Sequence, residues 1–375
     1  MAKPRAKNTP SLAGQVLKDY RKSHNLTQEQ LAYDLHIEPR TYRAYENGEY
    51  SLNNITELRR IADLLGIEPE RFGIATSVYA PRTPEEIEEV IAHIWKLVEE
   101  SRLQEARTTI ERLVENLRVQ VTTENPALLR SMARAYHTAG YVVSEATRAS
   151  ESYAAILHYE QMEEIARSLN DHTLLNIALT YQGDMFRRLG SYNKATTYLE
   201  AARDTTPQAD TAARGNGIQL LARVYLRKGE LSNFEHAMGE AEKLSYTFDL
   251  ASSSTQGHYS PGTVYEEYGR SYADLRQTQK ALEYFNRAQE TLPQTKFWEL
   301  LVATSRAEAL VKGNEFRSGI QLAVEVAQEI QQAGVLRYLD RIYGIQQYLD
   351  RLTREIGHMS APLRDILDGG QYTEI

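Results

Sequence analysis

Apolar positions recur at helical spacing along almost the whole chain. In the first 75 residues they mark five short pieces. Leu12, Val16, Leu17 and Tyr20 form one face of a first helix that runs to His24. Thr27 followed by Gln30 is a capping box, so a second helix starts there and carries Leu31, Ala32 and Leu35 inward. Pro39 suits a first helical position because its φ is already helical, and Gly48 can adopt the left-handed stop that ends this third helix. Ile55, Leu58, Ile61, Ala62 and Leu65 predict a fourth helix ending at Gly66, and residues 69–72 close the unit. On the third helix, Arg40, Arg43, Ala44 and Asn47 follow i, i+3, i+4, i+7 and are expected to share an outward face.

Residues 74–84 hold Pro81 and Pro84 and read as a linker. From Glu85 the pattern is helical nearly throughout and repeats itself. Gly183, Phe186, Gly190, Ala195, Leu199, Ala202 and Pro207 are matched by Gly269, Tyr272, Ala281, Phe285, Ala288 and Pro293. In both copies the first Ala lies 12 residues after the Gly and the Pro lies 24 after it. A third copy lies between them at Ala222, Tyr225, Gly229 and Ala241. A weaker one at Ala133, Tyr136 and Gly140 has an over-long second half, and degenerate copies surround 97–113 and 303–327. Residues 336–356 read as a terminal capping helix, 251–263 as a long loop and 368–375 as a loose end. The domain reading is a flexible basic arm (1–10), a short-helix unit (11–73), a linker (74–84), a repeat unit (85–358) and a C-terminal tail (359–375).

Short helices with a tight turn between the second and third are helix-turn-helix geometry. The string Leu26-Thr27-Gln28-Glu29-Gln30-Leu31-Ala32, with Leu35, Ile37, Thr41, Glu46-Asn47-Gly48 and 58–67, resembles the lambda-repressor-like (XRE/Cro-type) domains. It departs from them at His36, where Gly is usual, and at Glu38, where a Ser-like cap is usual. The resemblance implies that Tyr42 and Tyr45 are core, that Glu46 pairs with Arg21, and that Gln28 reaches a backbone phosphate. Arginine matches the acceptor pair on a guanine edge, so Arg40 and Arg43 are the expected base readers, with Thr27 and Asn47 assisting.

The repeat pattern is similar to tetratricopeptide repeats, whose small residues let paired helices approach closely. The expected fold is therefore all-α: a five-helix lambda-repressor-like domain followed by a right-handed tetratricopeptide α-solenoid. Family positions lining the concave side fall on Arg130, Arg134 and His137, on Thr180, Asp184 and Arg187, on Asn216, Gln219 and Arg223, and on Thr263, Glu266 and Arg270. That implies a polar, arginine-rich groove, in which Asn and Gln suit a peptide backbone and Arg a carboxylate.

Such a head on such a body resembles the RRNPP group (Rgg- and PlcR-like) of peptide-responsive transcription regulators. The resemblance implies a homodimer on double-stranded DNA with an inverted repeat, and a short quorum-sensing peptide in the groove. The alternative is a DNA-tethered adaptor whose repeats dock a partner protein.

Composition adds limits. With 43 Lys and Arg against 51 Asp and Glu the net charge is −8, so DNA attraction has to be local. Residues 1–75, with 11 basic and 10 acidic side chains, are nearly balanced. The absence of Cys removes disulfides, thiol nucleophiles and Cys-based zinc sites, and fits a cytoplasmic setting. No His pair has metal spacing, and phosphate-loop and GxSxG motifs are missing. No cofactor and no enzymatic activity are expected. No apolar run reaches the ~18 residues of a membrane span.

Overall fold

The computed structural model describes residues 11–50, 52, 55–67, 69–72, 81–120, 125–148, 153–249, 254–256, 258–333 and 335–369. The expected arm (1–10), most of the linker and the last six residues lie outside them. The chain divides into two compact units, Met1–Ala80 and Pro81–Ile375.

The first unit holds α1 (Leu12–Ser23), α2 (Gln28–Asp34), α3 (Pro39–Glu46) and α4 (Ile55–Leu65), closed by a 3-10 turn over Pro69–Phe72. Ser11 caps α1 by accepting from the Gly14 N–H (3.2 Å). The Thr27–Gln30 box is formed in both directions, at 3.1 and 2.8 Å. Leu17, Leu31, Leu35, Tyr42, Leu58 and Ile61 make the core, with Tyr45 half-buried against it. Two expectations fail here. Leu12 is 60% exposed, because the packed face of α1 is centred on Ala13, Val16 and Leu17 and Leu12 lies at its edge. Ala44 is buried although it lies on the same side of α3 as Arg40, because the chain leaving α3 turns back at this point, with the Glu49 and Tyr50 N–H groups donating to the Ala44 carbonyl.

The second unit is a stack of helix pairs: α5 (Pro84–Glu99) with α6 (Leu103–Gln120), α7 (Pro126–Ala146) with α8 (Tyr153–Ser168), and α9 (His172–Arg188) with α10 (Tyr192–Thr205). Then follow α11 (Thr211–Lys228) with α12 (Leu231–Ser245), α13 (Pro261–Asp274) with α14 (Thr278–Thr291), and α15 (Lys296–Lys312) with α16 (Phe316–Ala333). A single long helix, α17 (Leu336–Gly369), follows the last pair. The repeat signature has a direct steric reason. A Cβ on Gly183 would sit 2.6 Å from Leu199, and one on Gly269 2.5 Å from Phe285, so the small residue makes room for its partner helix's large one. The over-long fourth copy is explained by α7, which has 21 residues against 17 for α9.

Three features go beyond the sequence reading. Helix α17 continues to Gly369, well past the expected end of the unit at 358, with Pro362 inside it. The expected loop ends at Ser260, because Ser260 and Thr263 cap α13, and its C-terminal end is buried rather than exposed. Tyr259 lies against Gly215 of α11 and donates to the Ala241 carbonyl. Finally, the stack closes on itself: α5 packs on α15 and α7 on α17.

Candidate nucleic-acid interface and repeat interior

The recognition helix is anchored from beneath. Glu46, fully buried, accepts from Arg21 Nε (2.7 Å) and Nη2 (3.0 Å), from Tyr42 OH (2.6 Å) and from Gln28 Nε2 (2.8 Å). Burial alone would raise the Glu46 carboxyl, yet these hydrogen bonds and the Arg21 charge outweigh it and hold it below the usual range. The Arg21–Glu46 pairing implied by resemblance is present. The turn before α3 explains the departure at His36: its φ of 54° is the left-handed conformation for which Gly is ordinarily chosen. Glu38 gives α3 no side-chain cap, and Pro39 removes one of the N–H groups that would need it.

Above this anchor, Arg40, Arg43 and Asn47 are exposed. Arg43 meets Glu29 of α2 at 3.2 Å, with both side chains at least half exposed, a pairing that solvent weakens. Thr27 accepts the cap bond of α2 through its side-chain oxygen. Gln28, expected to point at a phosphate, is turned instead toward Glu46, because a buried carboxylate with a free lone pair attracts the nearest donor. Its second N–H remains.

The twelve groove residues separate into two sets. Arg130, exposed, and Arg134, half-buried, lie at one end and pair with Asp171 and Glu88, each at 3.0 Å. With Ile91, Trp95, Leu174 and Ile177 they line a cavity of about 250 Å³. His137, on the same wall, is buried; burial first and the Arg134 charge second push its imidazole down to about 3.

The remaining nine are brought together, though not as an open groove. Thr180, Asp184, Asn216, Gln219, Arg223, Thr263 and Glu266 are buried, and Arg187 and Arg270 nearly so. All but Thr180 line a space of only about 90 Å³. The expected concave groove is thus filled, and the reason is closure of the stack. Helix α17 delivers Arg337 and Tyr338 to this interior, and the segment before α13 delivers His258, whose ring lies among Trp95, Tyr141 and Trp298. Tyr141 and His258 share a hydrogen bond of 3.0 Å.

The interior is an ion-pair network. Asp184 accepts from Arg187 (2.8 Å) and Arg188 (2.7 Å), and Arg223 meets Glu267 at 3.0 Å. Burial works against the Asp184 carboxylate, but the two guanidiniums hold it far below its ordinary range. Burial, then the adjacent Glu267, push the Glu266 carboxyl up to about 7. Five guanidiniums line the space against three carboxyl groups, with Glu145 behind Arg337 and Arg188, so positive charge is in excess. Sequence spacing missed Glu145, Arg188, Glu267, Arg337 and His258. Glu267 and Arg188 were findable as neighbours of chosen residues; Arg337 and His258 reach the site only through long-range packing.

Residues 17–72 match the helix-turn-helix family model, so the N-terminal unit is a helix-turn-helix domain of the XRE type. None of the curated proteins matches the chain. Among solved structures, Bacillus thuringiensis PlcR in complex with the peptide PapR7 and DNA is similar over 74% of this chain and 96% of its own, at 15% identity and TM-score 0.39. The apo competence regulator ComR of Streptococcus vestibularis is similar over 81% and 98%, at 16% identity and TM-score 0.39. A kinesin light chain from Podosopora anserina with TPR-like repeats is similar over 56% and 96%, at 17% identity and TM-score 0.36. Among the described residues no helix is long and apolar enough to cross a membrane.

Proposed function

We propose that the chain is a transcription regulator that reads an inverted repeat in double-stranded DNA as a homodimer, with a short peptide bound by the repeat unit setting its DNA-binding state. One observation carries the DNA reading: Arg40, Arg43 and Asn47 lie exposed on a helix whose other side is held by a buried Arg21–Glu46–Tyr42–Gln28 cluster. A base-reading helix needs a rigid backing, because a guanidinium must meet two acceptors on one base edge. Gln28 and Thr27 would each present a donor to the phosphate backbone.

The peptide reading draws on the repeat interior. Arg130, Arg134 and His137 bound the cavity of about 250 Å³, enough for a side chain or two, with apolar walls. Inward from it, the network of Arg187, Arg223 and Arg270 with Asp184 and Glu266 has an excess positive charge that suits a carboxylate, while Thr180, Asn216, Gln219 and Thr263 supply neutral polar groups. A partner protein in place of the peptide is the alternative, and no feature of the interior favours it.

Selection of bound sequences from random duplexes tests the DNA reading. Arg40→Ala or Arg43→Ala should lower affinity for the preferred site by about 1–3 kcal/mol and relax preference at one position. Unchanged preference in both variants would remove this face from consideration.

A further inference from the structure

Positions 338, 342, 345, 349, 352, 356, 359, 363 and 366 of α17 are all apolar or aromatic, and their spacing alternates four and three without a break. That is the repeat of a two-helix seam, narrower than the face of an ordinary surface helix. Its first half is used within the chain. Tyr338 and Ile345 are buried, and Ile342 and Leu349 pack with them against α15 and α16. Beyond Leu349 the same seam continues without that support: Ile356 is 58% exposed and Met359 72%.

We propose that the projecting half of α17 is one strand of a two-stranded coiled coil, completed by the same segment of a second copy of this chain. Four observations favour a second copy over any other occupant. An unbroken 4–3 repeat matches another helix with the same repeat, and an identical helix satisfies that by construction. The positions flanking the projecting seam are Thr353 and Ser360 on one side and Glu355 and Pro362 on the other, so two identical strands bring a single charged side chain each to its flanks, while Asp350, Arg351 and Arg354 lie exposed away from it. The projecting stretch from Leu349 to Gly369 is ~30 Å long at 1.5 Å per residue, about three heptads, far more than a short ligand would need. It also carries Gly357 and Pro362, two of the residues least favourable in a helix, so its helical state calls for burial of its apolar side. The seam is continuous with one already packed, which fixes the rotation of α17 and points the projecting stripe. This surface gives the homodimer of the proposed function its contact, and rests on that reading for its purpose while its chemistry stands apart from DNA and peptide.

The test is sedimentation equilibrium of the full-length protein at micromolar concentration, without DNA or peptide. Wild type should be a dimer. Ile356→Asp with Met359→Asp should raise the dissociation constant at least about 100-fold and leave a folded monomer, since both side chains are exposed in the protomer. Ile356→Leu and the outward Arg354→Glu should both remain dimeric. A monomeric wild type, or a dimer that survives the double substitution, would overturn the proposal. Either result leaves the reading of DNA by Arg40 to be decided by its own binding experiment.

Discussion

Replacing Glu46 by Ala tests the idea that a buried cluster holds the recognition helix. The substitution removes the acceptor of four hydrogen bonds at 2.6–3.0 Å. Tyr42 is fully buried and is left with only a long 3.5 Å contact from its hydroxyl to the Leu17 carbonyl, toward the lower end of the about 1–3 kcal/mol for an unsatisfied buried hydroxyl. Breaking a buried ion pair from one side costs ~3–5 kcal/mol, but Arg21 keeps 17% exposure and can recover part of its hydration. These offset terms give an expected loss of about 3 kcal/mol for the first unit. Hydrogen exchange on the full-length chain reads this unit separately, with peptides from α1 and α3 exchanging roughly 100-fold faster. The exposed Arg43–Glu29 pair in the same domain is the internal control: Glu29→Ala should cost no more than about 1 kcal/mol. If Glu46→Ala proves no costlier than Glu29→Ala, the anchoring argument is wrong. The cluster also sets an acid limit. Because the folded Glu46 carboxyl is held below its unfolded value of about 4.3, its contribution is fully present above that pH and is lost as pH falls through the lower folded value.

Other outcomes follow from the repeat unit. His137, buried, and His258, half-buried within its ring cluster, are neutral with imidazoles pushed down to about 3, by desolvation and then by Arg134 for the first and by His137 and Arg337 for the second. The unfolded chain therefore binds protons that the folded one refuses between about pH 6.5 and 3, and stability of the unit should fall as pH drops through that window. A His258→Phe variant should show a shallower acid slope in thermal melts, and an unchanged slope would rule His258 out as a contributor. Gly215→Ala would drive a methyl into the Tyr259 ring, so a loss of about 1–3 kcal/mol is expected, partly relieved in the double variant with Tyr259→Ala. Full additivity of the two substitutions in denaturation would refute the contact. Arg337→Ala leaves the buried Glu145 carboxylate with only Arg188 nearby, so weakened packing of α17 on α7 should appear as faster hydrogen exchange in residues 336–345.

Much of this protein was legible from residue order alone because the relevant forces are local. The capping box at Thr27, the stop at Gly48 and the 3.6-residue period act within one or two turns, so the helices are readable without a fold. The repeat signature was equally readable, since Gly183 with Leu199 and Gly269 with Phe285 solve the same steric problem inside one helix pair. The Arg21–Glu46 pair, 25 positions apart, was legible only as what the family resemblance implies. Only the tertiary structure decided what the inner face becomes. The position of each repeat residue is set by its own pair, but whether Asp184, Arg223 and Glu266 face water or one another depends on how tightly the stack closes. That closure is made by α5 on α15, α7 on α17 and the His258 segment, contacts between residues some 100 to 200 positions apart. No local period records them. Within the first unit, packing likewise covers Ala44 and occupies one donor of Gln28, because burial and hydrogen-bond partners are properties of the assembled core, while helical spacing fixes only which residues share a side.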